Sequence, residues 1–261
     1  MRSVFTYLII LLITASSIGC QPERGANFDP FFPVSPPPDF RLKELIVKPT
    51  TIQQDQNIRH YQLHYNNANN LDSVIITEET PGTLRAGYYI SYAGDNRITT
   101  VAYKEKGENV ATGNKYVYNN NGNIIAYDYW DTELYILTPK IAAIQRDGAG
   151  RITVLPEGDS LFYDNGFNVA RMKQADGTVA AYEYEYRANP LYYVRNWSAI
   201  LFREPWLYQL ALSANNVHLI SQGKDTLATC NNNYDEKERL IKTTISGRRI
   251  IPAASISYTY Y

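Results

Sequence analysis

The chain has 261 residues, 44% of them hydrophobic and 20% charged, with a formal net charge of −1. It is too apolar and too evenly charged for a disordered chain, and it lacks the basic excess of an electrostatic nucleic-acid binder. Two cysteines exclude a disulfide scaffold, whereas 23 tyrosines against 8 phenylalanines and 3 tryptophans point to β structure.

Met1-Arg2 gives a positive start, and Val4 to Ala15 is an apolar run interrupted only by Thr6 and Thr14. The run is short for a membrane span and fits the apolar region of a signal peptide. Ser17-Ile18-Gly19-Cys20 follows and resembles the bacterial lipobox. That resemblance implies cleavage behind Gly19, so 1–19 is a lipoprotein signal peptide and Cys20 an acylated N-terminus. Acyl chains anchor a protein to a membrane without a spanning helix.

Residues 20–40 form a tether carrying Pro22, Pro30, Pro33, Pro36, Pro37 and Pro38. In polyproline II, at ~3.1 Å per residue, such a segment reaches ~60 Å. Gln21-Pro22-Glu23 partly resembles the acidic export signal of surface lipoproteins in Bacteroidota. The expected location is therefore the outer membrane, on its periplasmic or cell-surface face.

From 41 to 261 the sequence repeats. An aromatic anchor is followed by a turn rich in Asn, Asp or Gly and, six positions after the anchor, by an aliphatic residue. The pairs are Tyr65/Leu71, Tyr92/Ile98, Tyr118/Ile124, Tyr163/Val169 and Tyr234/Leu240, with Arg146/Ile152 built alike. Tyr186 starts a variant in which Asn189-Pro190 precedes Leu191. Turn residues that tolerate positive φ, flanked by period-two alternation as in Tyr61/Leu63/Tyr65 and Tyr182/Tyr184/Tyr186, read as β-hairpins. Gly122, in Asn121-Gly122, reads as part of a two-residue turn, and Gly113 as part of a looser loop. The expected fold is all-β: one large antiparallel meander over 41–261, curled or closed into a barrel-like sheet. One segment breaks the period. Trp206, Leu207, Leu210 and Ala211 come at helical spacing after Pro205, which predicts a short helix near 205–213 that plugs one end of the core.

The anchor–turn–aliphatic units resemble the YD repeats of RHS-type proteins. The lipobox with its tether, Tyr182-Glu183-Tyr184-Glu185-Tyr186 running into Asn189-Pro190-Leu191, and the Tyr234-Asp235-Glu236 unit with its Tyr258–Tyr261 ending resemble secreted Bacteroidota lipoproteins. Those carry a domain of unknown function with a porin-like fold. The resemblance implies a barrel-like sheet in a tethered domain and supplies no catalytic residues.

Candidate chemistry is sparse. His60 and His64 on a strand lie ~13 Å apart, too far for one metal ion, and His218 has no evident partner ligand in sequence. No cofactor motif appears, and neither a metal nor a cofactor is expected. Glu183 and Glu185, ~7 Å apart on one strand face, match the separation of an inverting glycosidase pair, although solvent-facing glutamates are commoner. Asp128, Asp131 and Glu133 lack the glycine and ligand count of a calcium loop. Cys230 is left as a lone thiol, either a small core residue or a reactive group. Asp72-Ser73, Asp159-Ser160 and Asp225-Thr226 resemble a short O-glycosylation motif of Bacteroidota. Tyr127, Tyr129 and Trp130 sit beside acids and are candidate ligand-binding residues, with core packing as the competing role. The function expected from these features is a non-enzymatic binding or scaffold domain, joined to a membrane through its anchor. The alternative is a carbohydrate-binding surface module, and the third reading a glycosidase-type enzyme.

Overall fold

The computed structural model describes residues 40–50, 58–78, 84–95, 97–107, 111–118, 124–131, 142–143, 145–148, 151–155, 158–164, 167–194, 205–247 and 253–261. All of them belong to one compact unit, Ser35–Tyr261. Cys20 and the tether up to residue 39 lie outside the described residues.

Among the described residues, seventeen antiparallel strands follow one another in chain order. They are β1 Leu42–Pro49, β2 Arg59–Tyr65, β3 Leu71–Glu78, β4 Leu84–Tyr92, β5 Ile98–Glu105, β6 Ala111–Tyr118 and β7 Ile124–Asp131. The short strands β8 Ala142–Ala143, β9 Gln145–Arg146, β10 Ile152–Val154, β11 Ser160–Tyr163 and β12 Val169–Lys173 come next. β13 Val179–Ala188, β14 Asn215–Gln222, β15 Asp225–Tyr234, β16 Leu240–Gly247 and β17 Ala254–Tyr260 complete the set. β1 pairs with both β2 and β17, so the first and last strands are neighbours. On the far side, β7 pairs with Ala142–Ala143 and β10 with Gln145–Arg146. Among the described residues no ladder joins β8 to β9, so the sheet is curled and barrel-like but not closed, with its seam at 142–146.

The six-residue spacing is the hairpin register itself. Tyr65 pairs with Leu71, Tyr92 with Ile98, Tyr118 with Ile124, Tyr163 with Val169, Tyr234 with Leu240 and Arg146 with Ile152. The loop, however, is not the two-residue turn that the sequence suggests. Asn66 N–H donates to Asn70 O at 2.9 Å and Asn69 N–H to Asn66 O at 2.9 Å, with Asn69 at φ 60°. Asp235–Arg239 repeats this geometry with Glu238 at φ 60°, and Phe167 takes φ 65° at the same place in its unit. This is a three-residue loop with a left-handed residue at its end. Past each aliphatic residue the strand carries one unpaired position: Asp72, Thr99, Ile125, Ala170, Ile241 and, after Ile152, Thr153. A bulge repeated at one place in each of these six hairpins adds right-handed twist each time, which curls a wide sheet.

The inner face is a continuous apolar core. Leu42, Leu45, Leu63, Leu71 and Val74 are fully or almost fully buried, and Tyr61, Tyr88, Ile220, Leu240 and Ile256 join them. Gly113 lies inside this sheet, buried on β6 opposite Ala102 and Trp130, rather than in a loop.

Where β13 would turn into β14, the described residues of the intervening stretch include two short helices: α1, Pro190–Tyr193, and α2, Pro205–Ala211. The sequence points to α2, slightly too long, and misses α1. Asn189 holds the insertion. Its side-chain oxygen accepts from Leu191 N–H, while its amide donates to Leu210 O at 2.6 Å and Ser213 O at 3.0 Å. Leu191, Leu207 and Leu210 are buried in the core cluster, so the insertion plugs the sheet as expected.

Candidate functional site

The hairpin loops at one end of the sheet are tied together by the side chains that make the repeat recognisable. The anchor tyrosine of one hairpin donates its hydroxyl to a backbone carbonyl on the adjoining strand. Tyr65 donates to Leu42 O at 2.8 Å, Tyr118 to Ile98 O at 2.7 Å, Tyr184 to Val169 O at 2.7 Å and Tyr260 to Leu240 O at 2.8 Å; Tyr92 donates to Leu71 O. Leu71, Ile98, Val169 and Leu240 are the aliphatic residues of the preceding units, and Leu42 is the first residue of β1. Just before three of these acceptors stands an arginine that covers the same tyrosine ring: Arg41 over Tyr65, Arg97 over Tyr118 and Arg239 over Tyr260 at 4.9 Å. Arg239 is held in turn by Asp235, whose carboxylate accepts from Arg239 Nε at 2.8 Å; Asp147 holds Arg151 likewise at 2.7 Å. The latch explains why tyrosine, rather than phenylalanine, recurs.

The pattern fails at the insertion. Tyr186, the sequence-level anchor there, is fully exposed, and Tyr184 makes the latch instead. Tyr234, on the strand beyond, finds no carbonyl in the usual place. Its hydroxyl donates to Glu185 Oε2 at 2.5 Å and accepts from Asn216 Nδ2 at 3.0 Å. The other oxygen of Glu185 lies 3.7 Å from His218 Nδ1, so His218 has a carboxylate partner that the sequence did not reveal. A register shift in the pairing of β13 with β14 leaves His218 without a ladder partner and brings it beside Glu185. Arg187 stacks over the Tyr234 ring at 4.5 Å. Burial raises the Tyr234 pKa well above that of a free phenol, and the Glu185 carboxylate adds to the shift. The phenol therefore stays protonated, as a fixed donor to a carboxylate. The cluster ties three strands together.

Glu183 is exposed, while Glu185 is engaged by Tyr234, so these two carboxylates do not form an open acid–base pair. His60 Nδ1 lies 3.2 Å from Glu44 Oε1. Among the described residues no three His, Cys, Asp or Glu side chains gather to hold a metal ion. Cys230 is buried, and burial pushes its thiol up to about 12. It is a core residue with little thiolate character. Tyr127, Tyr129 and Trp130 are placed by the β7 backbone opposite Tyr116, Asn114 and Gly113; their side chains lie outside the description.

No protein-family model matches the chain, and no curated protein matches it. Solved structures do. A porin-like protein from Bacteroides uniformis matches at TM-score 0.52 and 11% identity, over 84% of this chain and 98% of that one. A porin-like protein from Bacteroides vulgatus matches at TM-score 0.33 and 12% identity, over 85% of this chain and 98% of that one. The fold of this chain is porin-like. The two faces of its strands do not follow a membrane pore. Lys43, Gln62, His64, Asp72, Lys104, Lys115, Lys173, Glu183 and Lys242 are exposed, whereas the interior is packed with aliphatic and aromatic side chains.

Proposed function

We propose that the chain is an outer-membrane lipoprotein that suspends a binding or scaffold domain from an acylated Cys20, and that its sheet conducts nothing. The observation that carries this reading is the polarity of the sheet. A membrane barrel needs an apolar band outside and a polar lumen inside, and charged side chains on a lipid face cost ~2–4 kcal/mol each at the midplane. Here the arrangement is inverted. Among the described residues no helix is long and apolar enough to cross a membrane. In this reading the lipobox Ser17-Ile18-Gly19-Cys20 supplies the anchor. The hairpins, with their Tyr latch and their Asp–Arg pair, support a YD-like character for the repeat.

Fractionation tests the anchor. The Cys20→Ala chain is expected in the soluble fraction after a carbonate wash, and its persistence in the membrane pellet overturns the lipoprotein reading. Planar-bilayer recording tests the sheet: the chain is expected to give no conductance, and discrete channels would make it a pore.

A glycan-binding role has one specific support. Asp128–Asp131 of β7 have a ladder partner on β6 only among the described residues, which places Tyr129 and Trp130 beside the seam, with Tyr127 at the last paired position. Aromatic residues at a sheet edge are well placed to meet a sugar ring.

A further inference from the structure

The outer face of β2–β5 carries an aromatic ring that the fold does not use. Tyr88 points into the core at 2% exposure, whereas Tyr89 stands on the opposite face of β4 at 43%. Gly87, two positions back, is buried beneath its ring. A Cβ at 87 would meet Tyr89 Oη at 2.8 Å and its Cζ and Cε2 at 2.9 Å. Near-equal distances to these three atoms put the ring's face, rather than its edge, on the backbone. The other face is turned to solvent. The latch tyrosines spend their hydroxyls on carbonyls, but among the described residues the Tyr89 hydroxyl has no partner. Phe162, exposed on the far part of the sheet, is already covered by Arg171.

Ladder register sets what surrounds the ring. Gly87 pairs with Ile75 of β3 and Lys104 of β5, and Ile75 pairs with Gln62 of β2. Tyr89 pairs with Ser73 and Ala102, and Ser73 with His64. Residues directly opposite each other share a face, so these two rows form one patch. Ile75 and Ala102 are half-buried and give it aliphatic flanks, while Gln62, His64 and Lys104 are exposed. Among the described residues none of those three, nor Ser73, has a hydrogen-bond or ionic partner. Neither row contains a carboxylate. Those of neighbouring positions are committed: Glu44 to His60, Glu78 to Arg85 and Glu105 to Tyr103. Asp72, in the bulge before Ser73, stands at the end of the patch away from Lys104.

We propose that this patch binds an acidic glycan, one hexuronate ring of which stacks on Tyr89 with its carboxylate at Lys104. The polarised C–H face of a sugar suits the π-face of an open tyrosine, which carries partial negative charge. The carboxylate meets an ammonium that no described carboxylate neutralises. The sugar hydroxyls meet the Gln62 amide, the Ser73 hydroxyl and the His64 imidazole, which together donate and accept. The platform lies open on the surface and needs no cavity. An acidic peptide would match the charge but not the platform. β2, β3, β4 and β5 are each paired on both sides, so no strand edge offers a peptide backbone its hydrogen bonds. This inference rests on the reading of the domain as a binding module and gives it a site other than β7.

The test is a saturation-transfer NMR titration on the full detergent-solubilised chain. The probes are trigalacturonate and a hyaluronan tetrasaccharide, with cellotriose as the neutral control and triglutamate as the peptide control. At least one acidic oligosaccharide is expected to bind, more tightly than either control, and to weaken as salt is raised. Tyr89→Ala and, separately, Lys104→Ala are each expected to weaken it about tenfold, the effect of losing one stack or one charged hydrogen bond. Both side chains are exposed, so neither variant disturbs the core. Trp130→Ala is expected to change nothing. No transfer to either acidic oligosaccharide overturns the proposal, as does binding of cellotriose or triglutamate that equals theirs. Binding that survives Tyr89→Ala but falls with Trp130→Ala moves the sugar to β7, overturning this site while keeping the binding module. Fractionation and conductance read only the anchor and the pore, so they fail independently.

Discussion

The two ends of the sheet spend the same residue type differently. At the latched end a tyrosine hydroxyl meets a backbone carbonyl five times, and arginines cover three of those rings. At the other end the described turns are plain. Leu155–Asp159 and Gln174–Thr178 use the same three-residue loop with Gly158 and Gly177 at positive φ, and Gly223-Lys224 is a two-residue turn. There, among the described residues, the Tyr182 hydroxyl is left with the Met172 sulfur. Hairpins locked at one end need no further ties at the other, which leaves that rim free to vary.

High pH is expected to break the latched end first and most completely. Burial holds the hydroxyls of Tyr65, Tyr163, Tyr184 and Tyr260 well above the free phenol value and Tyr118 at about 12; Tyr234 is raised by burial and by Glu185. The unfolded chain releases these protons near ~10, and that of Cys230 near ~8.5. The folded chain holds them to higher pH. Stability is therefore full below the unfolded values and falls as pH rises from ~8.5 towards about 12. Tyrosinate absorbance and loss of near-ultraviolet dichroism should rise together in one steep step. Smooth titration near the free value with the fold intact would mean that the latch hydroxyls are open to solvent.

Asn189→Ala is expected to be the most damaging of the single substitutions. It leaves Leu191 N–H, Leu210 O and Ser213 O without their partner in a buried setting. At ~1–3 kcal/mol for each group left unpaired, the loss should reach about 3 kcal/mol or more in a urea melt. A loss under about 1 kcal/mol would show that the insertion is held by its leucines alone.

Much of the latched end is legible in the sequence and little of the other end is. The spacing Tyr65/Leu71 or Tyr234/Leu240 predicts a ladder pair because a turn of fixed length repeats the same backbone path. The turn type is not legible in the spacing, since five intervening residues fit more than one loop until the bulge at Asp72 or Ile241 is known. α1 escapes because four residues are too few for a helical period. Glu185 and His218 meet only through a shift in strand register. Alternation tells that Tyr182 points inward, as it does for Tyr184, but which of the two finds an oxygen depends on the neighbouring strand and on Ser213.

Gly122 sharpens the turn argument. It stands four residues after its anchor, Tyr118, as Asn69, Phe167 and Glu238 do after Tyr65, Tyr163 and Tyr234. Residue 122 itself is outside the described set. If the repeat is a true register, Gly122→Val forces a β-branched residue to positive φ and costs ~1–3 kcal/mol. Gly94→Val is the control, because a side chain there meets nothing within 4 Å and its φ is not positive. Gly113, buried in β6, cannot serve as that control. Equal urea midpoints for the two variants would show that the Tyr118 loop departs from its siblings.

The smallest expected effect is the most direct comparison of the two ends. Tyr118→Phe and Tyr182→Phe remove the same oxygen and keep the same ring. At Tyr118 the hydroxyl donates to Ile98 O at 2.7 Å, so its loss leaves a carbonyl short of a partner and costs ~1 kcal/mol. At Tyr182 the only partner among the described residues is the Met172 sulfur, and burial raises its pKa without repaying the desolvation of the phenol. Replacing it with phenylalanine removes a buried donor that lacks a good acceptor, so stability should be unchanged or slightly higher. Urea midpoints measured side by side cancel the loss of polarity common to both. The expected order is Tyr118→Phe below wild type and Tyr182→Phe at or above it. The reverse order would mean that the latch contributes nothing and that the Tyr182 hydroxyl is structural.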